Sequence, residues 1–463
     1  ILNFKGDGVI DGIIGSVGLG IEELNINSEN EQDSTDGVKV TYSALGREIY
    51  ADTINLKNNA TFTLSDGVDL IDTGSDNIIV KVDINNTGKL TFEGTSTIDG
   101  EVGQSNKVLN TINAGATGET VTFNDMVYAT TLKYSDNGTV VLNGNNSSNA
   151  NAEGFKGTVD LSGTTGTLEI GDGVNLTTGT SGIEFANANN ATLRFTGDTT
   201  VYGVLGGNTA GNSTFEEIYA GLNNKTATFK NDVYVKENTF HVGDGTVNFE
   251  GNLTGSLIFD DDGIVNMDAN KSVIVSTLPQ SIKTSVDGEG TVNFEGVTTL
   301  YGDIGTSSNR LKEVNFATLG NSATSYEQNI NKNIYAYDTS IGNGTNKTTA
   351  NIVGDITFGG NLNINSNSML NVSDYDITVD NTLNLASNST TKFKVYTTDI
   401  SAGQAVTNGN SGSITTDNLN VSSDSKVYID YEGSWFGAGT YNLITSNSLT
   451  GTYTGTEANG LVS

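Results

Sequence analysis

The sequence predicts an all-β chain folded as a parallel β-helix, a β-solenoid built from imperfect repeats. Three observations carry this expectation. Apolar and polar residues alternate with a period of two almost throughout, one Phe-Gly phrase recurs four times, and the 463 residues include 57 Gly and 59 Asn beside a single Pro (Pro279) and no Cys. Low hydrophobicity combined with a net charge of -32 also describes disordered chains, but those are poor in aromatics. Here Tyr and Phe number 17 each, as a packed interior requires.

The alternation defines the strands. Thr61-Phe62-Thr63-Leu64, Thr246-Val247-Asn248-Phe249 and Leu362-Asn363-Ile364-Asn365 place apolar residues at every second position, the pattern of a half-buried strand. Polar runs such as Lys57-Asn58-Asn59, Ser135-Asp136-Asn137-Gly138 and Ser366-Asn367-Ser368 separate them and predict turns. No sustained apolar stripe with helical spacing is present. Gly and Asn suit the corners because both tolerate positive φ, and Pro is scarce because it removes an N–H from strands bonded on both sides.

The repeat defines the architecture. Aligned on Phe4, Phe92, Phe195 and Phe294, the chain reads Phe-x-Gly-x5-Gly-x-[Ile/Leu/Val]-Gly four times. The glycines are Gly6, Gly12 and Gly15; Gly94, Gly100 and Gly103; Gly197, Gly203 and Gly206; Gly296, Gly302 and Gly305. The aliphatic member is Ile14, Val102, Leu205 and Ile304 in turn, and Leu2, Leu90, Leu193 and Val292 precede each Phe by two. Two further marks recur between these phrases. An aliphatic-Tyr-Ala step stands at Ile49-Tyr50-Ala51, Val127-Tyr128-Ala129, Ile218-Tyr219-Ala220 and Ile334-Tyr335-Ala336. An Asp-Gly-aliphatic turn stands at Asp66-Gly67-Val68, Asp172-Gly173-Val174 and Asp262-Gly263-Ile264. Residues 1 to 27 match 291 to 317 best, with Ile21, Glu23, Leu24 and Asn25 opposite Leu311, Glu313, Val314 and Asn315.

Modules of about a hundred residues exceed one solenoid coil, so each contains several coils. At roughly 20 to 25 residues per coil and about 4.8 Å per layer, about 20 coils would stack into a rod near 100 Å long. Residues 1-370 are expected to form the repetitive modules and 371-463 the C-terminal coils. An array of β-sandwiches is the competing architecture, because strands between turns every 8 to 12 residues also describe it.

Composition excludes several functions. Without Cys there are no disulfides, thiol nucleophiles or Cys-zinc sites, and a lone His241 leaves no multi-His metal site. With 54 acidic against 22 basic residues, the chain repels nucleic acid and anionic membranes. No apolar stretch reaches the roughly 20 residues of a spanning helix. Ile1 follows no charged and apolar leader, so a processed or trimmed piece is expected. A Cys-free acidic chain suits secretion or surface display.

Chemistry-bearing motifs are equally sparse. His241 lies in the alternating Thr239-Phe240-His241-Val242, and no Gly-x-Ser-x-Gly elbow accompanies it. Asp260-Asp261-Asp262-Gly263 lacks calcium-loop spacing and predicts a solvated turn. Gly6-Asp7-Gly8 does not extend into a dinucleotide fingerprint, and Gly88-Lys89 is followed by Leu90. Acidic residues such as Glu93, Glu250 and Glu295 recur with the repeat, as structural residues do. No catalytic, cofactor-binding or metal-ligating residue is assigned, and no cofactor is expected.

The phrase Thr-Val-Asn-Phe-Glu-Gly followed by Ile-Gly at residues 291 to 305, varied at 1 to 15, 89 to 103 and 192 to 206, resembles the passenger regions of rickettsial surface cell antigens of the outer membrane protein A and B kind. Thr382-Leu383-Asn384-Leu385, Lys392-Phe393-Lys394-Val395 and Gly439-Thr440-Tyr441-Asn442-Leu443-Ile444 are similar to the last passenger coils of monomeric autotransporters. The resemblance implies a right-handed β-helical passenger exported through its own C-terminal translocator barrel, which does not follow Ser463 here. It further implies a non-catalytic protein on the bacterial cell surface, acting as an adhesin or invasion factor toward a host-cell receptor. A self-associating surface layer and a carbohydrate-active β-helix enzyme are the alternatives.

Overall fold

The computed structural model describes residues 1–26, 37–144, 154–162, 164–179, 182–207, 214–236, 239–276, 278–317, 325–396, 410–432, 441–451 and 456–458. Gly439, Thr440 and Ser463 lie outside them. The chain forms two compact units, Ile1–Thr239 and Phe240–Ser463. Every described element is a strand. Among the described residues the strand pairings are parallel, apart from Thr390–Tyr396 with Asn410–Ser411 and an isolated bridge from Gln104 to Lys107. Parallel pairing between consecutive coils is the β-solenoid arrangement, and it excludes hairpin-linked sandwiches.

In the first unit the register runs from Val40 to Phe62, Leu90, Ile112 and Leu132, steps of 22, 28, 22 and 20 residues. A second column runs through Ile49, Leu70, Ile98, Phe123, Leu142 and Ile170 to Phe195. A third joins Phe4, Ile26, Leu56 and Val82. Each column stacks apolar side chains inward, and strands such as Thr61–Leu64 show strict alternation of half-buried and buried residues. Fully burying one such aliphatic or aromatic side chain contributes about 1.5–3 kcal/mol. Rings meet across coils: Phe92 and Phe123 pack edge to face at 5.8 Å, Phe195 and Phe229 at 5.4 Å.

Phe4, Phe92 and Phe195 stand in three different columns, because Phe92 is in register with Leu64 and Phe195 with Ile170. The first two modules therefore each comprise a whole number of coils plus one side. In the second unit one column joins Phe249, Met267, Phe294, Phe316, Ile341, Ile364, Leu385 and Val421. There Phe294 and Phe316 stack at 5.2 Å. Beyond residue 371, Leu385 and Val421 continue this column.

The two sequence marks are partners across coils. The motif aliphatic pairs with the residue before a Tyr: Ile14 with Ile49, Val102 with Val127, Leu205 with Val233, Ile304 with Ile334. The Tyr N–H then donates back to the aliphatic carbonyl, at 2.7 Å from Tyr335 to Ile304 and 2.9 Å from Tyr50 to Ile14. The final motif glycine lies beside that Tyr carbonyl. A Cβ on Gly305 would stand 2.3 Å from the Tyr335 oxygen, at φ +67, and Gly15, Gly103 and Gly206 repeat the arrangement. In the third module the partner is Tyr234, not the Tyr219 that the aliphatic-Tyr-Ala alignment selects; Ile218 instead continues the Leu193 column.

The first motif glycine has a partner too. A Cβ on Gly94 would meet Asp66 Oδ1 at 2.3 Å and one on Gly197 would meet the Asp172 Cα at 2.1 Å, so the first two Asp-Gly turns nest under a motif glycine. Asp66 and Asp172 accept hydrogen bonds from the next backbone N–H groups, of Thr95 (2.9 Å) and Asp198 (2.8 Å). In the third case the nest is different: Gly296 faces Ala269, and Asp262 accepts the Gly290 N–H.

Corners follow the expected chemistry. Of eleven non-glycine residues at positive φ among the described residues, nine are Asn, including Asn58 and Asn367 in the expected turns. Pro279 immediately precedes the strand Gln280–Thr284, where its missing N–H costs no ladder bond. Gly305→Ala is expected to destabilise the chain by about 1–3 kcal/mol through strained backbone and the carbonyl clash. Gly12→Ala, with open space and no positive φ at a recurring glycine of the same phrase, should fall within about 0.5 kcal/mol of the parent. Urea unfolding followed by circular dichroism measures both.

Candidate functional site

The ionisable residues singled out in the sequence lie on turns and strand faces. His241 sits on the strand Phe240–Val242 with Nδ1 2.8 Å from Asp260 Oδ2. Ser285 Oγ donates to the other Asp260 oxygen at 3.1 Å. The carboxylate thus stands between Ser and His, whereas a nucleophilic relay places the imidazole between them. Asp261 Oδ1 accepts the Asp262 N–H at 2.8 Å, and Asp262 pairs with Lys312 at 2.5 Å. Among the described residues no group of three or more His, Asp or Glu is arranged to hold a metal ion.

Carboxylates nevertheless crowd one region of the first unit. Burial, reinforced by the charges of Glu48 and Asp99, pushes Asp69 above the usual carboxylate range. Burial also raises Asp72 beside Asp76 and Asp52, Glu101 beside Asp125 and Asp76, and Asp125 beside Asp99. In the second unit Glu295 is raised by burial and by Asp268 and Glu250. Four carboxylates are shifted the other way: Asp76 by its hydrogen bond from Lys81, Asp160, against its burial, by hydrogen bonds from Ser162 and Asn187, Asp172 by the Asp198 N–H and Lys225, and Asp287 by Arg310.

A raised folded-state value means that the folded chain binds the proton more tightly than the unfolded chain. Its contribution is present below the ordinary value of about 4 and is lost as pH rises through the folded value. Lowered groups lose their contribution only below about pH 4. The melting temperature of the first unit should therefore rise on acidification from pH 7 toward about 4.5 and fall below that. Asp69→Asn, which retains an oxygen for the Thr97 N–H at 2.6 Å, should raise it at pH 7 and flatten the profile. Calorimetry across pH measures the effect, and a melting temperature that falls monotonically from pH 7 contradicts it.

The outward face of the second unit carries a different feature. Asn248, Asn266, Asn293, Asn315, Ser340, Asn363, Asn384, Asn420 and Thr450 stand in register on successive coils. The amides form ladders in which each Nδ2 donates to the Oδ1 of the preceding coil: Asn266 to Asn248 at 2.8 Å, Asn293 to Asn266 at 2.9 Å, Asn315 to Asn293 at 3.0 Å. Ser340 is too short to continue the series. Beyond it Asn384 donates to Asn363 and Asn420 to Asn384, both at 2.7 Å. In the first unit Asn55, Asn25 and Asn3 form the same ladder.

The sequence reading placed Asn at corners and missed this second use. Its signal is an Asn between two apolar residues, as in Val292-Asn293-Phe294 and Leu383-Asn384-Leu385, recurring once per coil. The equivalence of Asn25 and Asn315 in the best-matched segments is the same signal, since both are rungs.

A groove of about 320 Å³ opens where the second ladder begins. One wall is Ser340, Asn363, Asn384, Asn420 and Thr450; the other is Asn365, Ala386 and Ser422. The strand residues between them, Ile364, Leu385 and Val421, form the floor with their side chains buried inward. The small Ala386 and Ser422 keep the second wall low. None of the lining residues is ionisable.

The amide series is expected to stabilise the stack. Asn293→Leu removes two amide bonds and should lower stability by about 1–2 kcal/mol in urea unfolding, with an unchanged value contradicting the role.

Compared with protein-family models, with curated proteins and with solved structures, the chain matches none of them.

Proposed function

We propose that this chain is the non-catalytic passenger region of a bacterial autotransporter, displayed on the cell surface and adhering to a host-cell receptor. The single observation supporting adhesion is the uninterrupted row of outward polar side chains on successive coils of the second unit, with a groove along it. Parallel coils hold those groups at fixed spacing without any ordering step on binding, so little conformational entropy is lost on contact. The lining of the groove has no carboxylate, so it holds neither the acid nor the base of glycoside hydrolysis. The phrase at residues 291 to 305, with its counterparts, supports the autotransporter assignment, and the translocator barrel and right-handed coil belong to that assignment.

The fluorescently labelled chain is expected to bind cultured epithelial cells saturably and to be displaced by unlabelled chain. Absence of saturable binding, together with an ordered lattice by electron microscopy, would replace adhesion with a surface-layer role.

A further inference from the structure

We infer that the groove walled by Ser340, Asn363, Asn384, Asn420 and Thr450 binds an uncharged linear oligosaccharide lying along the stacking direction. This rests on the adhesive reading above and names the chemistry of its ligand.

Charge points to the first property of the ligand. None of the residues lining the groove is ionisable, on a chain of net charge -32, although the Asp338 carboxylate accepts from Asn363 Nδ2 at 3.5 Å. An anionic chain is repelled by the surrounding field, and a cationic one gains more from the acidic turns elsewhere than from neutral amides. An uncharged ligand loses nothing in this groove.

Hydrogen-bond capacity and spacing point to the second. An Asn side chain has two N–H donors and two acceptor lone pairs. The ladder uses one N–H and one lone pair of Asn384, leaving one of each for a ligand, and uses only an N–H of Asn420. A sugar hydroxyl, itself donor and acceptor, satisfies such a pair. Successive rungs repeat at about 4.8 Å, whereas an extended peptide presents groups on one face only every two residues, or about 6.6 Å. A peptide thus falls out of step after one rung. In a β-1,4-linked sugar chain successive rings are turned over, so like groups recur on one face every two rings, or about 10 Å, close to the two-rung distance of about 9.6 Å from Asn363 to Asn420.

The ladder bonds at 2.7 Å hold these amides before any ligand arrives, which limits the ordering cost. The lining has no aromatic ring to stack on a sugar face, so the affinity is modest, with Kd on the order of 0.1–1 mM.

Isothermal titration of the full chain with chitohexaose and cellohexaose, with a heparin-derived hexasaccharide as the anionic probe, tests the inference. At least one neutral hexamer should bind and the heparin probe should not. The double variant Asn384→Ala/Asn420→Ala should weaken binding at least tenfold. Ala386→Trp, which fills the groove and leaves every ladder bond in place, should do the same at an unchanged melting temperature. No heat with either neutral hexamer at about 10 mM, tighter binding of the heparin probe, or full affinity in Ala386→Trp would overturn the site. Cell adhesion that persists without sugar binding would sink this inference and leave the adhesive reading standing; sugar binding without cell adhesion would do the reverse.

Discussion

The structure depends on in-register parallel pairing between consecutive coils. Once a strand is bonded to the coils before and after it, every backbone group is spoken for, and side-chain alternation turns one face inward for its whole length. The Ile304-Gly305 step against Ile334-Tyr335 shows how the register is pinned. The aliphatic residue continues the apolar column, its carbonyl takes the Tyr N–H, and only a residue without Cβ fits against the Tyr carbonyl. Four such contacts distributed along the chain hold coils of unequal length in step.

Asn performs two unrelated tasks at positions that sequence composition does not separate. At corners such as Asn58 and Asn367 its tolerance of the left-handed region lets the chain turn. On strand faces such as Asn293 it passes a hydrogen bond from each coil to the one before, as stacked amides do in cross-β assemblies. An uncharged polar face of this kind adds stability without adding to the self-repulsion of an acidic chain. The carboxylates that do become half-buried, Asp69 and Glu101 among them, are raised first by burial and then by neighbouring carboxylates.

The strands, the corner residues and the existence of a repeat are legible from local pattern, because alternation and positive-φ preference act within a few residues. Thr61–Leu64 and Thr246–Phe249 coincide with strands read from alternation alone. Partnership between coils is less legible. The step between partners varies, 22 residues from Val40 to Phe62 and 28 from Phe62 to Leu90, so no fixed spacing reveals it. That variation is why Tyr219 takes the aligned position while Tyr234 makes the contact, and why rungs as far apart as Asn384 and Asn420 do not announce themselves as neighbours. The groove depends on small residues at Ala386 and Ser422 across three coils, a coincidence that no single segment encodes.

Phe4, Phe92 and Phe195 occupy three different sides of the first unit, and this sets the bearing of whatever each module carries outside. A copied module inherits its interior contacts intact while its loops swing to a new azimuth. Tandem duplication then varies the outside without disturbing the inside. Two modules with identical loops would not offer one flat, repeating epitope to an antibody, since each would look out in its own direction.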